Sequence, residues 1–287
     1  LIGPPYNVPG SGDLAVFTAV NTGTSPLVVT ITVTPHYTNG GVTCDGPSEN
    51  STITINPTAQ VDEPADQVLC TTENTTAVTF TTDRTVGVTT YTWTNDDTSI
   101  GLAASGVGDI PSFAAANTGI TPVIATITVT PHFTFDGVTC DGPTENFTIT
   151  VNPTAQVDLP ANQVVCNTES TTLVSFTTDR GAGVTTYTWT NDNTSIGLAA
   201  SGTGDITAFA GINTGTAPEI ANITVTPHFT YDGVTCDGPA EVFTITVNPT
   251  AQVDDPADQV VCNSDDIAQV TFSTHTDVTF NTYRDAA

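Results

Sequence analysis

The chain has 287 residues, 30 of them acidic and only three basic, for a formal net charge of −27. The three cations are Arg84, Arg180 and Arg284, so no basic stripe exists to displace counterions, which excludes nucleic acid and anionic membranes as partners. Apolar residues reach 38% and alternate as in strands, which excludes a disordered acidic tail, and none of their runs approaches the roughly 20 residues that insertion across a bilayer needs.

The same unit recurs at a step of 96 residues. T-P-H-[YF]-T carries His36, His132 and His228. G-V-T-C-D-G-P carries Cys44, Cys140 and Cys236, and N-P-T-A-Q-V-D opens at Asn56, Asn152 and Asn248. An exact repeat of this length is the mark of an array of folded beads. In chain order, one unit from Pro57 predicts a strand over Thr76–Thr82, a turn at Asp83–Gly87, and a strand over Val88–Thr94 with Tyr91 and Trp93 on one face. Asn95-Asp96-Asp97 reads as a turn, and a glycine-rich stretch leads to a strand over Ile110–Ala116. Val123–Thr134 reads as the longest strand, Asp136-Gly137 as the start of a loop holding Cys140, and Phe147–Val151 as the closing strand. With threonine outward on pleated surfaces and helix nearly absent, the class is all-β: tandem immunoglobulin-like sandwiches, each burying Trp93 or Trp189.

The phase of the motifs sets the expected domains. Residues 1–56 match the back half of a repeat, 57–152 and 153–248 are complete repeats, and 249–287 match a front half. Leu1–Pro5 reads as the middle of a repeat rather than a signal peptide, and Asp285 stands where the tryptophan recurs. Such halves fit either a window on a longer array or strand donation between successive molecules. The partners expected are therefore neighbouring repeats of one long chain or head-to-tail copies.

V-C-N-T-E-S-T-T-L-V-S-F, Y-T-W-T-N-D, A-N-I-T-V-T-P-H-F-T and F-T-I-T-V-N-P-T-A-Q-V-D resemble the PKD-like repeats of Bacteroidota. The resemblance covers the whole chain, although Trp93 is followed by Thr-Asn-Asp-Asp instead of the W-x-F-G-D-G of standard PKD modules. It implies a giant cell-surface adhesin like those of gliding flavobacteria, exported by the type IX secretion system.

Candidate chemistry is sparse. Six cysteines without C-x2-C spacing read as structural disulfides made in an oxidising, extracellular compartment. The pairing expected is within beads, Cys70–Cys140 and Cys166–Cys236, leaving Cys44 and Cys262 for the missing halves; the alternative joins Cys44–Cys70, Cys140–Cys166 and Cys236–Cys262. Closing each ~70-residue loop would contribute about 4 kcal/mol. His36, His132 and His228 lack a nearby nucleophile motif and read as structural, so no catalytic residue is expected and the chain is not read as an enzyme. Asp136, Asp141 and Glu145, with Asp232, Asp237 and Glu241, read first as solvated charge, with calcium the secondary reading and no other cofactor implied. The short, proline-fixed N-P-T-A-Q-V-D joints favour limited bending. A stalk or filament shaft at a bacterial surface follows, with a multivalent carbohydrate- or surface-binding array as the alternative; an exposed aromatic cluster at Phe133 and Phe135 would favour the latter.

Overall fold

The computed structural model describes residues 10–275 and contains sixteen strands and two 3-10 turns among them. Arg284 and Asp285 lie outside the described residues. The chain divides into two compact units, Leu1–Thr118 with Val123–Val151, and Gly119–Pro122 with Asn152–Ala287.

The first unit opens with β1 (Leu27–Val33), β2 (His36–Asn39), β3 (Val42–Asp45) and β4 (Glu49–Ile55). These form two separate two-stranded sheets, β1 with β4 and β2 with β3. A complete bead follows: β5 (Gln67–Cys70), β6 (Val88–Asn95), β7 (Ser105–Val107), β8 (Val123–Phe135), β9 (Val138–Asp141) and β10 (Glu145–Asn152). Its sheet runs β5-β10-β8-β6-β7, with β9 also on β8. The second unit repeats this bead in β11 (Gln163–Cys166), β12 (Val184–Asn191), β13 (Ser201–Thr203), β14 (Glu219–Tyr231), β15 (Val234–Asp237) and β16 (Glu241–Asn248), in the order β11-β16-β14-β12-β13 with β15 on β14. Residues 249–275 follow without a strand.

The chain is all-β, and each bead packs one six-stranded sheet against a facing layer joined by isolated bridges. The central strand alternates as threonine and branched apolar residues dictate: Ala125, Ile127 and Val129 are fully buried while the threonines between them are not. They meet Phe147, Ile149, Tyr91 and Trp93 from the same sheet and Val61, Val78, Phe80 and Ile110 from the facing layer. That facing layer is irregular. Thr76–Thr82 and Ile110–Ala116, expected as strands, touch only through the isolated bridge Val78↔Ile110, with Asn74↔Ala114 beside it. Side chains take over there: Asp109 accepts from the Phe80 amide and the Thr75 hydroxyl accepts from the Phe113 amide, so the ladder is interrupted.

The Cys140 loop is instead strand β9, paired with the end of β8. Asp136 and Gly137 both take positive φ, 49° and 75°, the type I′ geometry that a two-residue hairpin requires. The β2–β3 turn meets the same demand with Gly40 and Gly41.

Trp93 lies across β7, directly opposite Gly106. A Cβ at Gly106 would stand 2.2 Å from Trp93 Cζ2, and at Gly202 the same 2.2 Å from Trp189 Cζ2. Tryptophan is accommodated because its neighbour has no side chain. Gly106→Ala and Gly202→Ala should each cost about 1–3 kcal/mol by overpacking, read as a lower urea midpoint with an unchanged slope.

Candidate functional site, the seat of the N-P-T-A-Q-V-D segment

The segment that leaves one repeat is built into the next along its whole length. Pro57, Ala59 and Val61 are buried while Thr58 and Asp62 face out, and Pro153, Ala155 and Val157 repeat this. The side-chain amide of Asn56 donates to the carbonyls of Phe135 and Val138, at 3.1 and 3.3 Å, on either side of the Asp136-Gly137 turn. Asn152, fully buried, donates to Tyr231 and Val234 at the same two distances. The Thr58 carbonyl accepts from Arg84 Nε at 2.8 Å, and Arg84 also pairs with Asp83. The Thr154 carbonyl accepts from Arg180 Nε at 2.7 Å. Two of the chain's three cations are thus spent on this backbone.

Gln60 Oε1 accepts from the Thr82 hydroxyl and the Asp83 amide, while its amide group donates to Asp62. Asp62 also accepts from the Thr81 hydroxyl, and its own amide donates to the Thr81 carbonyl. The closest approach is at Ala59, whose carbonyl oxygen would lie 2.0 Å from any Cβ on Gly142; Ala155 stands equally close to Gly238. Only glycine after V-T-C-D lets the segment lie against the hairpin.

These bonds shift the carboxyl groups. Hydrogen bonds from Thr81 and then Gln60 hold Asp62 below the usual aspartate range, and those from Gln156 and then Thr177 do so for Asp158. Burial, and after it the Asp62 charge, pushes the Tyr91 phenol up; Tyr187 is raised by burial and then by Asp158.

The cysteines fall at opposite ends of a bead. Cys166 stands beside Asn248, whose neighbour Val247 pairs with Glu219, whereas Cys236 pairs with Phe229, ten residues further along β14. At about 3.3 Å per residue that is roughly 33 Å, far beyond the ~7 Å Cα limit of a disulfide. The expected Cys70–Cys140 and Cys166–Cys236 bridges are therefore not formed, and the junction-crossing alternative is not formed either: Cys44, Cys140, Cys166 and Cys262 are free thiols. Cys70 and Cys236 are disulfide-bonded.

The histidines are braces with a catalytic look. His132 Nδ1 lies 2.6 Å from Asp141 Oδ1 and its Nε2 lies 2.9 Å from Thr92 Oγ1; His228, Asp237 and Thr188 repeat these distances. His36 pairs with Asp45. Thr92 is a secondary hydroxyl on a sheet face, and neither it nor His132 lines the groove between Ile53–Asn56 and Phe135–Cys140 or the one beside Pro64–Gln67. The arrangement is a cross-strand polar ladder, continued by the Thr134–Thr139 hydroxyl pair.

Among the described residues no three His, Cys, Asp or Glu side chains are placed to hold a metal ion. Asp141 and Asp237 are engaged by histidine, and Asp136 and Asp232 serve the I′ turns. Phe133 is fully buried and Phe135 half-buried, so they form no exposed aromatic cluster. No helix among the described residues is long and apolar enough to cross a membrane. Sequence reasoning named the joint but not its receptors, Arg84, Gly142 and the Phe135 and Val138 carbonyls; the available signal was that N-P-T-A-Q-V-D is identical in three copies while the strands drift.

No protein-family model matches the chain, and no curated protein matches it. Solved structures with a similar backbone course include the FN1–FN3 domains of chicken CNTN1, 11% identical over 76% of each chain with a TM-score of 0.31. The I9–I11 tandem from titin is 9% identical over 79% of this chain and 94% of that one, at 0.27. Mouse protocadherin-24 EC1–3 is 11% identical over 82% and 83%, at 0.30.

Two outcomes test the seat. Asn152→Ala should lose about 1–3 kcal/mol in chemical denaturation, and Asn152→Asp more, because it sets a carboxylate against two carbonyls. A group with a depressed folded pKa stabilises above its ordinary value and ceases to as the pH falls through the lowered one. The stability gap between wild type and the Asp62→Asn, Asp158→Asn double variant should therefore be full at neutral pH and close below the ordinary aspartate value of 3.8.

Proposed function

We propose that the chain is a load-carrying segment of an extracellular stalk or filament shaft made of end-to-end immunoglobulin-like beads. The observation that carries this reading is the seat: the segment leaving one repeat is locked by the same buried asparagine, the same Arg–carbonyl bond and the same glycine contact at 56–62 and at 152–158. A flexible linker needs none of these, since Gly/Ser composition alone supplies freedom. A net charge of −27 keeps such chains soluble and apart. Disulfide-bonded cysteines fit an oxidising compartment outside the cytoplasm. The resemblance to Bacteroidota PKD-like repeats supports a stalk on a bacterial surface, with a type IX route of export and a role in adhesion. A multivalent glycan-binding array has less support, because Phe133 is in the core instead of on a face.

Imaging single molecules of the full chain under reducing conditions tests the reading. Straight, beaded rods are expected, and Asn56→Ala with Asn152→Ala should bend them at the joints. Compact globules, or joints whose bending ignores both substitutions, would sink it.

A further inference from the structure

The first strand of the second bead and its last strand lie side by side and point the same way. β11 pairs with β16 in parallel, with Gln163↔Ile245, Val164↔Thr246, Val165↔Val247 and Cys166↔Asn248. Side chains carry this short ladder further at each end. Ahead of it, Asn162 Oδ1 accepts from the Thr244 amide at 2.7 Å. Behind it, the Asn167 backbone amide donates to the Asn248 carbonyl at 2.9 Å, and the Asn167 side chain donates to Thr250 Oγ1 at 3.0 Å. Asn167 Oδ1 also accepts from the amide of Asn213, a buried residue whose own side chain donates to the Val247 carbonyl at 2.7 Å. The run 162–167 is thus fastened to 244–250 from end to end.

Direction decides what such a ladder does under tension. β14 spans the bead from Glu219, paired with Val247, to Tyr231, paired with Val234. The seat of Asn152 at Tyr231 and Val234 is therefore at the opposite end of the bead from Asn248. The entering chain runs from that seat to Cys166, beside Asn248. A pull on the two ends of the bead slides β11 against β16 along their common axis. All the bonds between them are stretched at once and must fail together, whereas strands drawn apart from one end lose their bonds singly. Thr168, at φ 70°, closes the clamped run: a β-branched residue rarely takes left-handed backbone, and here it turns the chain back at once, its amide on the Gly211 carbonyl at 2.7 Å.

We propose that the β11–β16 pair is the clamp that holds the second bead shut under load, and that Asn162 and Asn167 are the side chains that lock its two ends. This deepens the stalk reading by naming the element that bears the load, and it rests on that reading only for its use in a stalk. The first bead has the same neighbours, β5 beside β10, with Asp66 Oδ1 on the Thr148 amide at 2.6 Å where Asn162 meets Thr244. The lock at 162 is therefore a matter of acceptor geometry, which aspartate supplies as well as asparagine. Gly202 lies on β13, at the other edge of the sheet, and is off the loaded path.

The test stretches single molecules of the full chain by their two ends under reducing conditions, so that no disulfide shares the load. Wild type should give two ruptures, each releasing roughly 300 Å of chain as one repeat becomes extended. In N162A/N167A one rupture should move to lower force, its rate at a fixed load rising roughly tenfold, because bonds that hold until the barrier is crossed are gone. The other rupture, from the first bead, is the internal reference. N162D should keep the wild-type force. G202A should lower the urea midpoint and leave both rupture forces in place; Val174→Ala, a core truncation in the facing layer, serves the same purpose where G202A does not fold. Two ruptures unmoved in N162A/N167A, a loss in N162D equal to that in N162A, or forces that simply follow the urea midpoint across all variants would each overturn the clamp. Straight rods with an easily ruptured second bead would leave the stalk standing, and compact globules with an intact clamp would sink the stalk alone.

Discussion

Everything distinctive about the chain depends on one close approach of two backbones, the Ala59 carbonyl over Gly142 and the Ala155 carbonyl over Gly238. Main chain packed this tightly leaves no room for water, so each polar group along the segment needs a protein partner. The partners are found in turn: Asn56 on the hairpin carbonyls, Arg84 on Thr58, Gln60 on the Thr82–Asp83 turn, Asp62 on Thr81. The chemistry follows from that contact. Glycine is required on one side, and on the other a run of residues whose side chains reach back to satisfy the backbone around them. Even so, Asn56 Oδ1 and Asn152 Oδ1 are buried without a protein partner, a cost accepted to aim both amide hydrogens at the turn.

The hairpin that receives the asparagine is also what makes β8 long. At thirteen residues β8 serves two partners on the same side, β10 against its first half and β9 against its last four residues. This length separates the cysteines. One sits by the strand that leaves the bead and the other on the hairpin at the far end, so a bead cannot close on itself. A repeat that places one thiol at each end is organised to bond outward. In the first unit the equivalent stretch is two strands, β1 and β2, interrupted at Thr34-Pro35, and Val33 is 59% exposed where its equivalent Val129 is buried.

Much of this was legible. The alternation of V-T-T-Y-T-W-T and of the Val123–Thr134 run, with the buried tryptophans, follows directly from period-two patterning, and β6, β8 and β10 lie where it places them. What escaped was decided by contacts distant in sequence. Asp136-Gly137 carries an I′ signal, but its flanks lack strong alternation, so β9 reads as loop. Thr76–Thr82 alternates as well as any strand, yet Asp109 takes the amide of Phe80 within it and Thr75 that of Phe113 opposite, leaving bridges in place of a ladder. Cysteine connectivity is invisible to spacing because it depends on which end of a sheet each thiol reaches. The seat was legible only as a motif: identity across three copies says that the segment is constrained, and not by what.

The acidic residues, read as a solvated coat, turn out to be structural acceptors in good part. Asp66 accepts from the Thr148 amide, Asp96 from Thr126, Asp109 from Phe80 and Asp192 from Asn222. Glu73 and Glu169 accept from the Cys70 and Cys166 amides. In a chain with almost no cations, the carboxylates find their positive partners in backbone N–H groups, bonds that are stronger for being charge-assisted. The replacement of Asp66 by Asn162 in the next repeat discriminates between roles. The charge is lost there but the acceptor is kept: Asn162 Oδ1 accepts the equivalent bond from the Thr244 amide at 2.7 Å. Acceptor geometry, with charge as a reinforcement, is what the repeat preserves. The same side chains therefore close the ragged edges of each sandwich and give the surface its repulsion.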